Sequence, residues 1–298
     1  MSDMINNVAI VGGTHGNELT GQYLVKHWQG SPDAVKRASF STELMIANEA
    51  ASAECRRYVE QDLNRQFATR DLNDESLVGL EQQRAKAINR ILGPKGSPRT
   101  DLVIDLHTTT SNMGPTLLLP ALGSFYSQLG AYVVDKMPTA TVYWDEEHLA
   151  NDEHHLLCTI GRFGVIVEVG PVPQGSLKQD VFEASAEMVG HILDFVEARN
   201  TDQMPTLPTT YESFRFLHSI HLPCDDQNER IGMVHSDRQD KDFMPIHPGD
   251  PIFKTFGGEV ISYQGDDVVY GVFINEAAYY DNNLAMSIAE KWVVETYQ

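Results

Sequence analysis

Short apolar runs alternate along the first two hundred residues with stretches in which apolar positions recur every three to four residues. Residues 8–11, 44–47, 102–105, 116–119, 141–144 and 165–169 predict strands, several of them continuously apolar. Between them, residues 19–28, 77–92 and 177–198 predict helices. The last carries Leu177, Val181, Ala184, Met188, Ile192 and Phe195 on one stripe. Strands that alternate with helices imply an α/β unit whose sheet is mainly parallel or mixed and covered by helices on both faces.

The texture then changes. Residues 199–208 are polar, contain Pro205 and Pro208 and show no periodicity, as a linker does. Beyond them, residues 211–220, 251–256, 259–263 and 268–274 predict strands, separated by turn signals such as His247-Pro248-Gly249-Asp250 and Gly257-Gly258. A short helix over 285–294 is expected to close this part. The pattern therefore predicts a catalytic-sized domain over 1–200 and a smaller, mostly β domain over 209–298.

Composition narrows the partners. The chain has 298 residues, 42% apolar and 21% charged, with 42 acidic against 22 basic side chains and a net charge of −20. Nucleic acid and anionic membranes both require an excess of Lys and Arg, so neither is an expected partner. An anionic substrate would need a local cluster of arginines. Cys55, Cys158 and Cys224 are scattered and odd in number, which suits neither a disulfide framework nor a metal knuckle. With no targeting signal or membrane-length apolar run in view, the expected location is the cytoplasm.

Candidate chemistry begins at Gly12-Gly13-Thr14-His15-Gly16-Asn17-Glu18 and is completed by Asp105-Leu106-His107. His15, Glu18 and His107 supply two nitrogens and one carboxylate, the ligand set of a catalytic zinc site with one position left open. Both groups lie at the carboxyl ends of predicted strands, where α/β sheets present functional residues. Taken singly, each residue has a plain structural reading, a helix cap or a satisfied buried histidine. Asp105, two residues before His107, either orients that imidazole or is a solvated strand-end carboxylate; the spacing allows both. A phosphate loop is disfavoured because no Gly-Lys-Ser/Thr follows the glycines.

Two further clusters complete a hydrolytic constellation. Arg56-Arg57-Tyr58 and Asp62-Leu63-Asn64-Arg65 concentrate guanidinium groups in an otherwise acidic chain, and planar guanidiniums bind carboxylates and oxyanions. Glu168 interrupts the apolar run Val165-Ile166-Val167-Glu168-Val169. A carboxylate in such surroundings has a raised pKa and suits a general base that later acts as a general acid.

Together these residues resemble the aspartoacylase and succinylglutamate desuccinylase family, whose first domain is similar to zinc carboxypeptidases. The resemblance rests on residues 12–21, Asp62-Leu63-Asn64-Arg65, Asp105-Leu106-His107, residues 109–114, Glu168-Val169-Gly170-Pro171, residues 247–251 and Asn275-Glu276-Ala277-Ala278-Tyr279-Tyr280. It implies one zinc ion on His15, Glu18 and His107, with Glu168 as proton shuttle. It also implies substrate contacts from Arg57, Asn64, Arg65 and Tyr279, the last from a second domain that covers the cleft. A homodimer or higher homo-oligomer is implied as well.

One departure bears on the substrate. Aspartate-specific members carry a Tyr and an Arg before the catalytic glutamate, and His154 and Cys158 stand at those positions here. Cys158 cannot supply a permanent positive charge. Either Arg162 or one of His154 and His155 substitutes, or the preferred substrate is not acidic. The expected activity is hydrolysis of an N-acyl amino acid, N-acetyl-L-aspartate first and N-acyl aromatic or neutral amino acids as the alternative. A metallocarboxypeptidase and a non-catalytic metal-binding protein are the remaining readings.

Overall fold

The computed structural model describes residues 4–297, so residues 1–3 and 298 of the two predicted domains lie outside the described residues. In chain order the first part comprises β1 (Asn7–Gly12), α1 (Leu19–Gly30), β2 (Ser41–Ile46), α2 (Glu49–Glu54), α3 (Thr69–Asn73), α4 (Leu80–Leu92), β3 (Leu102–Thr108), β4 (Gly114–Leu119), α5 (Ser124–Lys136), β5 (Thr141–Trp144), β6 (Phe163–Gly170) and α6 (Gln179–Asn200). The remainder is β: β7 (Thr210–His221), β8 (Gly232–Val234), β9 (Pro245–Ile246), β10 (Pro251–Thr255), β11 (Val260–Ser262), β12 (Val269–Val272) and β13 (Leu284–Glu295).

Ten strands form one mixed sheet in the order β2-β1-β3-β6-β4-β5-β7-β13-β12-β9, while β11-β10-β8 form a small second sheet. β1, β2, β3 and β6 run parallel, and β4 is antiparallel to β6. The chain leaves β1 for β2 on one side and returns to β3 on the other, which opens a crevice at the carboxyl ends of β1 and β3.

Alternation along these central strands assigns each residue to a face. Val8 and Ile10 of β1, Leu102, Ile104 and Leu106 of β3, and Val165, Val167 and Val169 of β6 pack beneath α1, α5 and α6. Ala9 and Val11, Val103 and Ile166 face the other way, against Ala85, Ile88 and Leu92 of α4. Asp105, His107 and Glu168 share this second face by the same period of two. Both faces are covered, which explains why these strands read as unbroken apolar runs.

The predicted strands and three long helices are present, with ends displaced by a few residues; the helix expected from residue 77 starts at Leu80. The sequence pattern missed α5. Its Phe125, Tyr126, Ser127, Leu129, Gly130, Ala131, Tyr132 and Val133 are all buried, so it shows little of the polar face that marks an amphipathic helix. The predicted helix over 285–294 is a correction: these residues form β13, paired along its length with β7 and at residues 287–289 with β12. Pairing with β7 along the strand, and with β12 at its centre, overrides the helical preference of Ala285, Met286, Ala289, Glu290 and Lys291.

The C-terminal part also continues the main sheet, since β7 pairs in parallel with β5 through Tyr143↔Phe214 and Trp144↔Arg215. Among the described residues no helix is long and apolar enough to cross a membrane.

Close packing fixes the start of α1. A Cβ on Gly12 would lie 2.3 Å from the carbonyl oxygen of Gly21, and one on Gly21 would lie 2.8 Å from Cβ of Leu106. Gly12→Ala should therefore destabilise the fold by about 1–3 kcal/mol through overpacking, seen as a lower urea midpoint. An unchanged midpoint would show that β1 and α1 can separate freely.

Candidate active site

Glu18 precedes α1, and the loop that delivers it from β1 is held on two sides. Gly16 packs so closely on α2 that a Cβ would lie 2.1 Å from the carbonyl carbon of Ala51. Its N–H donates to the carbonyl of Arg57 at 3.2 Å. Gly13 has φ 69°, a left-handed conformation that glycine adopts without a steric penalty. His107 stands near the end of β3 and is the register partner of Glu168 on β6.

The structure brings His15, Glu18 and His107 together as a buried group whose ligand atoms lie within 4.8 Å of one another. Nδ1 of His15 is 2.6 Å from Glu18 Oε1, Nδ1 of His107 is 3.0 Å from Glu18 Oε2, and the two Nδ1 atoms are 3.2 Å apart. Both imidazoles are gripped from behind: Nε2 of His15 donates to Asp62 Oδ1 at 3.0 Å, and Nε2 of His107 to Asp105 Oδ2 at 2.9 Å. That arrangement assigns the proton of each ring to Nε2 and turns the Nδ1 lone pairs inward, a donor set suited to a zinc-like cation. Asp105 in turn accepts from the Thr14 hydroxyl at 2.7 Å.

The charges are coupled. Burial would raise the Glu18 pKa, but His15 and His107 outweigh it and hold the group well below the usual carboxylate range. Burial opposes a charge on His107, whereas Asp105 and Glu18 together raise its pKa. Glu168 is pushed well up by burial and by the neighbouring Glu18 and Glu276, against the pull of His107 and Arg57. This buried, raised carboxyl is the environment expected from its place in an apolar strand.

Arg57 reaches Asp62 Oδ2 at 2.9 Å and Glu18 Oε1 at 3.4 Å, so it is tied into the metal-site network. The loop that carries it is anchored by the buried carboxylate of Glu81 on α4, which accepts from the N–H groups of Val59, Glu60 and Gln61. Asn64 is buried; its Oδ1 accepts from the N–H of Leu157 at 2.7 Å, and its Nδ2 is 3.5 Å from His107 Nε2. The Arg65 side chain donates to the carbonyl of Asn64 at 2.9 Å, its one side-chain hydrogen bond among the described residues.

These groups line a small cavity of about 80 Å³, together with Glu168, Glu276 and Tyr279. Its roof comes from the C-terminal part and is latched to the end of β3. Glu276 Oε2 accepts from the hydroxyl of Thr109, the N–H and hydroxyl of Thr110 at 2.7 and 2.9 Å, and the N–H of Ser111 at 3.2 Å.

The residues ahead of Glu168 are placed differently. His154 is buried behind Glu146, with Nδ1 3.5 Å from its carboxylate, and is not among the cavity-lining residues. Cys158 is fully buried in the core and Arg162 pairs with Asp101 at 3.2 Å, before the start of β6. Neither lines the cavity. Sequence reasoning missed Asp62 as the anchor of His15, and it missed Glu276 as the latch. An acidic residue five positions from Arg57 was a usable signal for the first. The second requires knowing which strand ends meet.

A sheet of this order with a His-Glu-His group and a carboxylate beside it at the carboxyl ends of its strands has the make-up of a metallohydrolase. Residues 4–196 match the Succinylglutamate desuccinylase/Aspartoacylase catalytic domain, and residues 209–291 match the AstE/AspA barrel-sandwich hybrid domain. The chain belongs to the succinylglutamate desuccinylase/aspartoacylase family. It is 39% identical over 290 residues to a probable aspartoacylase of Nostoc sp., covering 97% of this chain and 98% of that one. It is also 39% identical over 293 residues to the human N-acyl-aromatic-L-amino acid amidohydrolase (carboxylate-forming), covering 97% and 91%. The crystal structure of murine aminoacylase 3 superposes with a TM-score of 0.92 at 38% identity, covering 98% of this chain and 97% of that one.

Removing the carboxylate behind His15 tests this geometry directly. Asp62→Ala should weaken zinc binding by about 10–100-fold, read by competition with a chromophoric chelator. Wild-type affinity in that variant would show that the His15 ring needs no anchor.

Proposed function

We propose that this protein is a zinc-dependent deacylase that hydrolyses N-acyl-L-amino acids to a carboxylic acid and a free amino acid. The observation that carries the reading is the pairing of a His15-Glu18-His107 ligand set with Glu168, the direct strand neighbour of His107. A site that only bound a metal would have no use for a buried, high-pKa carboxyl there. The size of the cavity and its roof of residues 273–279 argue against a carboxypeptidase open to long peptides.

His15, Glu18 and His107 would hold the zinc ion, which when bound polarises the acyl carbonyl and acidifies water. Glu168 takes a proton from the attacking water as the new C–O bond forms. It then delivers that proton to the departing amine nitrogen as the C–N bond breaks. Arg57, fixed by Asp62, points positive charge at the oxygen on which negative charge develops. Arg65, with donors to spare, and Asn64 hold the substrate α-carboxylate. Tyr279 and Glu276 close the roof and exclude water.

For the side chain, the printed names of the relatives divide between aspartate and aromatic amino acids. N-acetyl-L-aspartate, the first expectation, calls for a second free cation in the cavity. The positions of Cys158 and Arg162 favour the alternative, an N-acyl aromatic or neutral amino acid. A cytoplasmic homo-oligomer remains part of the proposal; the three free cysteines accord with a reducing compartment.

Two variants test the assignments. Glu168→Gln keeps the shape and loses the base, so turnover should fall by about 10²–10⁴-fold in a single-substrate assay; normal turnover would remove Glu168 from the mechanism. Arg65→Ala should raise KM by roughly 10–100-fold, the value of a charged hydrogen bond, with a smaller effect on kcat. Unchanged constants would take Arg65 out of the site.

A further inference from the structure

The strand β5 ends at Trp144, and the two residues that follow it carry carboxylates to the cavity wall. Tyr143 belongs to the core on the site face of the sheet and Trp144 to the core on the opposite face, so alternation returns Asp145 to the site side. Glu146 sits beside it in a left-handed backbone conformation, φ 60°.

These two carboxylates line the same cavity as Arg65. The charges that act on Asp145 are Glu146, Arg65 and Glu147, and those that act on Glu146 are His155, Arg65 and His154. Glu168 by contrast responds to His107, Glu18, Glu276 and Arg57. The apolar lining of the cavity comes from Leu118, Leu156, Ile166 and Phe273.

Counting positive charge decides what this cavity can accept. Arg57 is committed to Asp62 and Glu18, which leaves Arg65 for the ligand. His155 approaches Glu146 at 3.4 Å, but burial and Arg65 lower its pKa and disfavour its charged form. Burial above all, then Glu146 and Glu147 against the pull of Arg65, push Asp145 up to about 7, so this position already disfavours added negative charge. Once a substrate α-carboxylate takes Arg65 and the acyl group occupies the metal, a second carboxylate on that substrate would meet Asp145 and Glu146 with no free side-chain cation to answer it.

We propose that Asp145 and Glu146 are specificity-determining residues that reject acidic side chains, so that the substrates are N-acyl amino acids whose side chain carries no negative charge. This inference rests on the deacylase reading and on Arg65 as the α-carboxylate partner. Lining by Leu118, Leu156, Ile166 and Phe273 suits an apolar side chain in particular.

The test compares kcat/KM of the zinc-loaded enzyme for N-acetyl-L-phenylalanine and N-acetyl-L-aspartate in the wild type, in Asp145→Asn and in the Asp145→Asn/Glu146→Gln double variant. The wild type should prefer the phenylalanine substrate. The ratio of aspartate to phenylalanine turnover should rise by about tenfold or more in the variants, as expected for removing a nearby charge at protein-like dielectric. A wild-type preference for N-acetyl-L-aspartate, or a ratio that does not move, would overturn the proposal while leaving the deacylase reading intact. Turnover of neither substrate would count against the deacylase reading, and calorimetric binding of the same two compounds would then decide the side-chain preference: tighter binding of the aspartate compound would refute it.

Discussion

The chemistry of this molecule depends on two buried imidazoles held from behind by carboxylates, Asp105 fully buried and Asp62 half-buried. An unpaired charge in such a place is costly, and removing one partner exposes the full desolvation penalty of the other. Asp62 and Asp105 therefore do more than steady two rings. They fix which nitrogen carries the proton and thereby turn two lone pairs and the Glu18 carboxylate onto one point. Arg57 closes the arrangement by touching both Asp62 and Glu18, so the His-Glu-His group and this guanidinium form one electrostatic unit.

Supporting that unit takes most of the fold. The crevice between β1 and β3 supplies His15, Glu18 and His107, and the parallel register of β3 with β6 sets Glu168 beside His107. Glu81 on α4 holds the loop that leads to Asp62. Glu276, from the far end of the chain, holds the loop that follows His107. Long-range contacts of this kind make the site a property of the whole chain.

That division explains what could be read from the sequence. The His15-Glu18-His107 group and Glu168 were legible because each breaks a local pattern: a histidine and a glutamate where a strand ends, a charge inside an apolar run. The spacing of Asp105 to His107 left two readings, and the contact with His107 Nε2 decides between them. Asp62, Glu276 and the Asp145-Glu146 pair were not, since their roles arise from contacts between distant segments. The same holds for β13, whose composition favours a helix until β7 and β12 flank it, and for α5, buried on too many sides to show a period.

The pairing of β5 with β7 has a consequence for how the molecule can be divided. The two parts look separable on the page, joined by an irregular segment after α6, and each matches its own domain description. Yet cutting the chain there would leave β5 as an open border, its backbone donors and acceptors bare beside Tyr143 and Trp144. Such borders recruit other strands, most readily those of identical chains. The C-terminal part thus acts as a stopper against self-association as well as a roof, and the two halves of this sheet are bound to be inherited together.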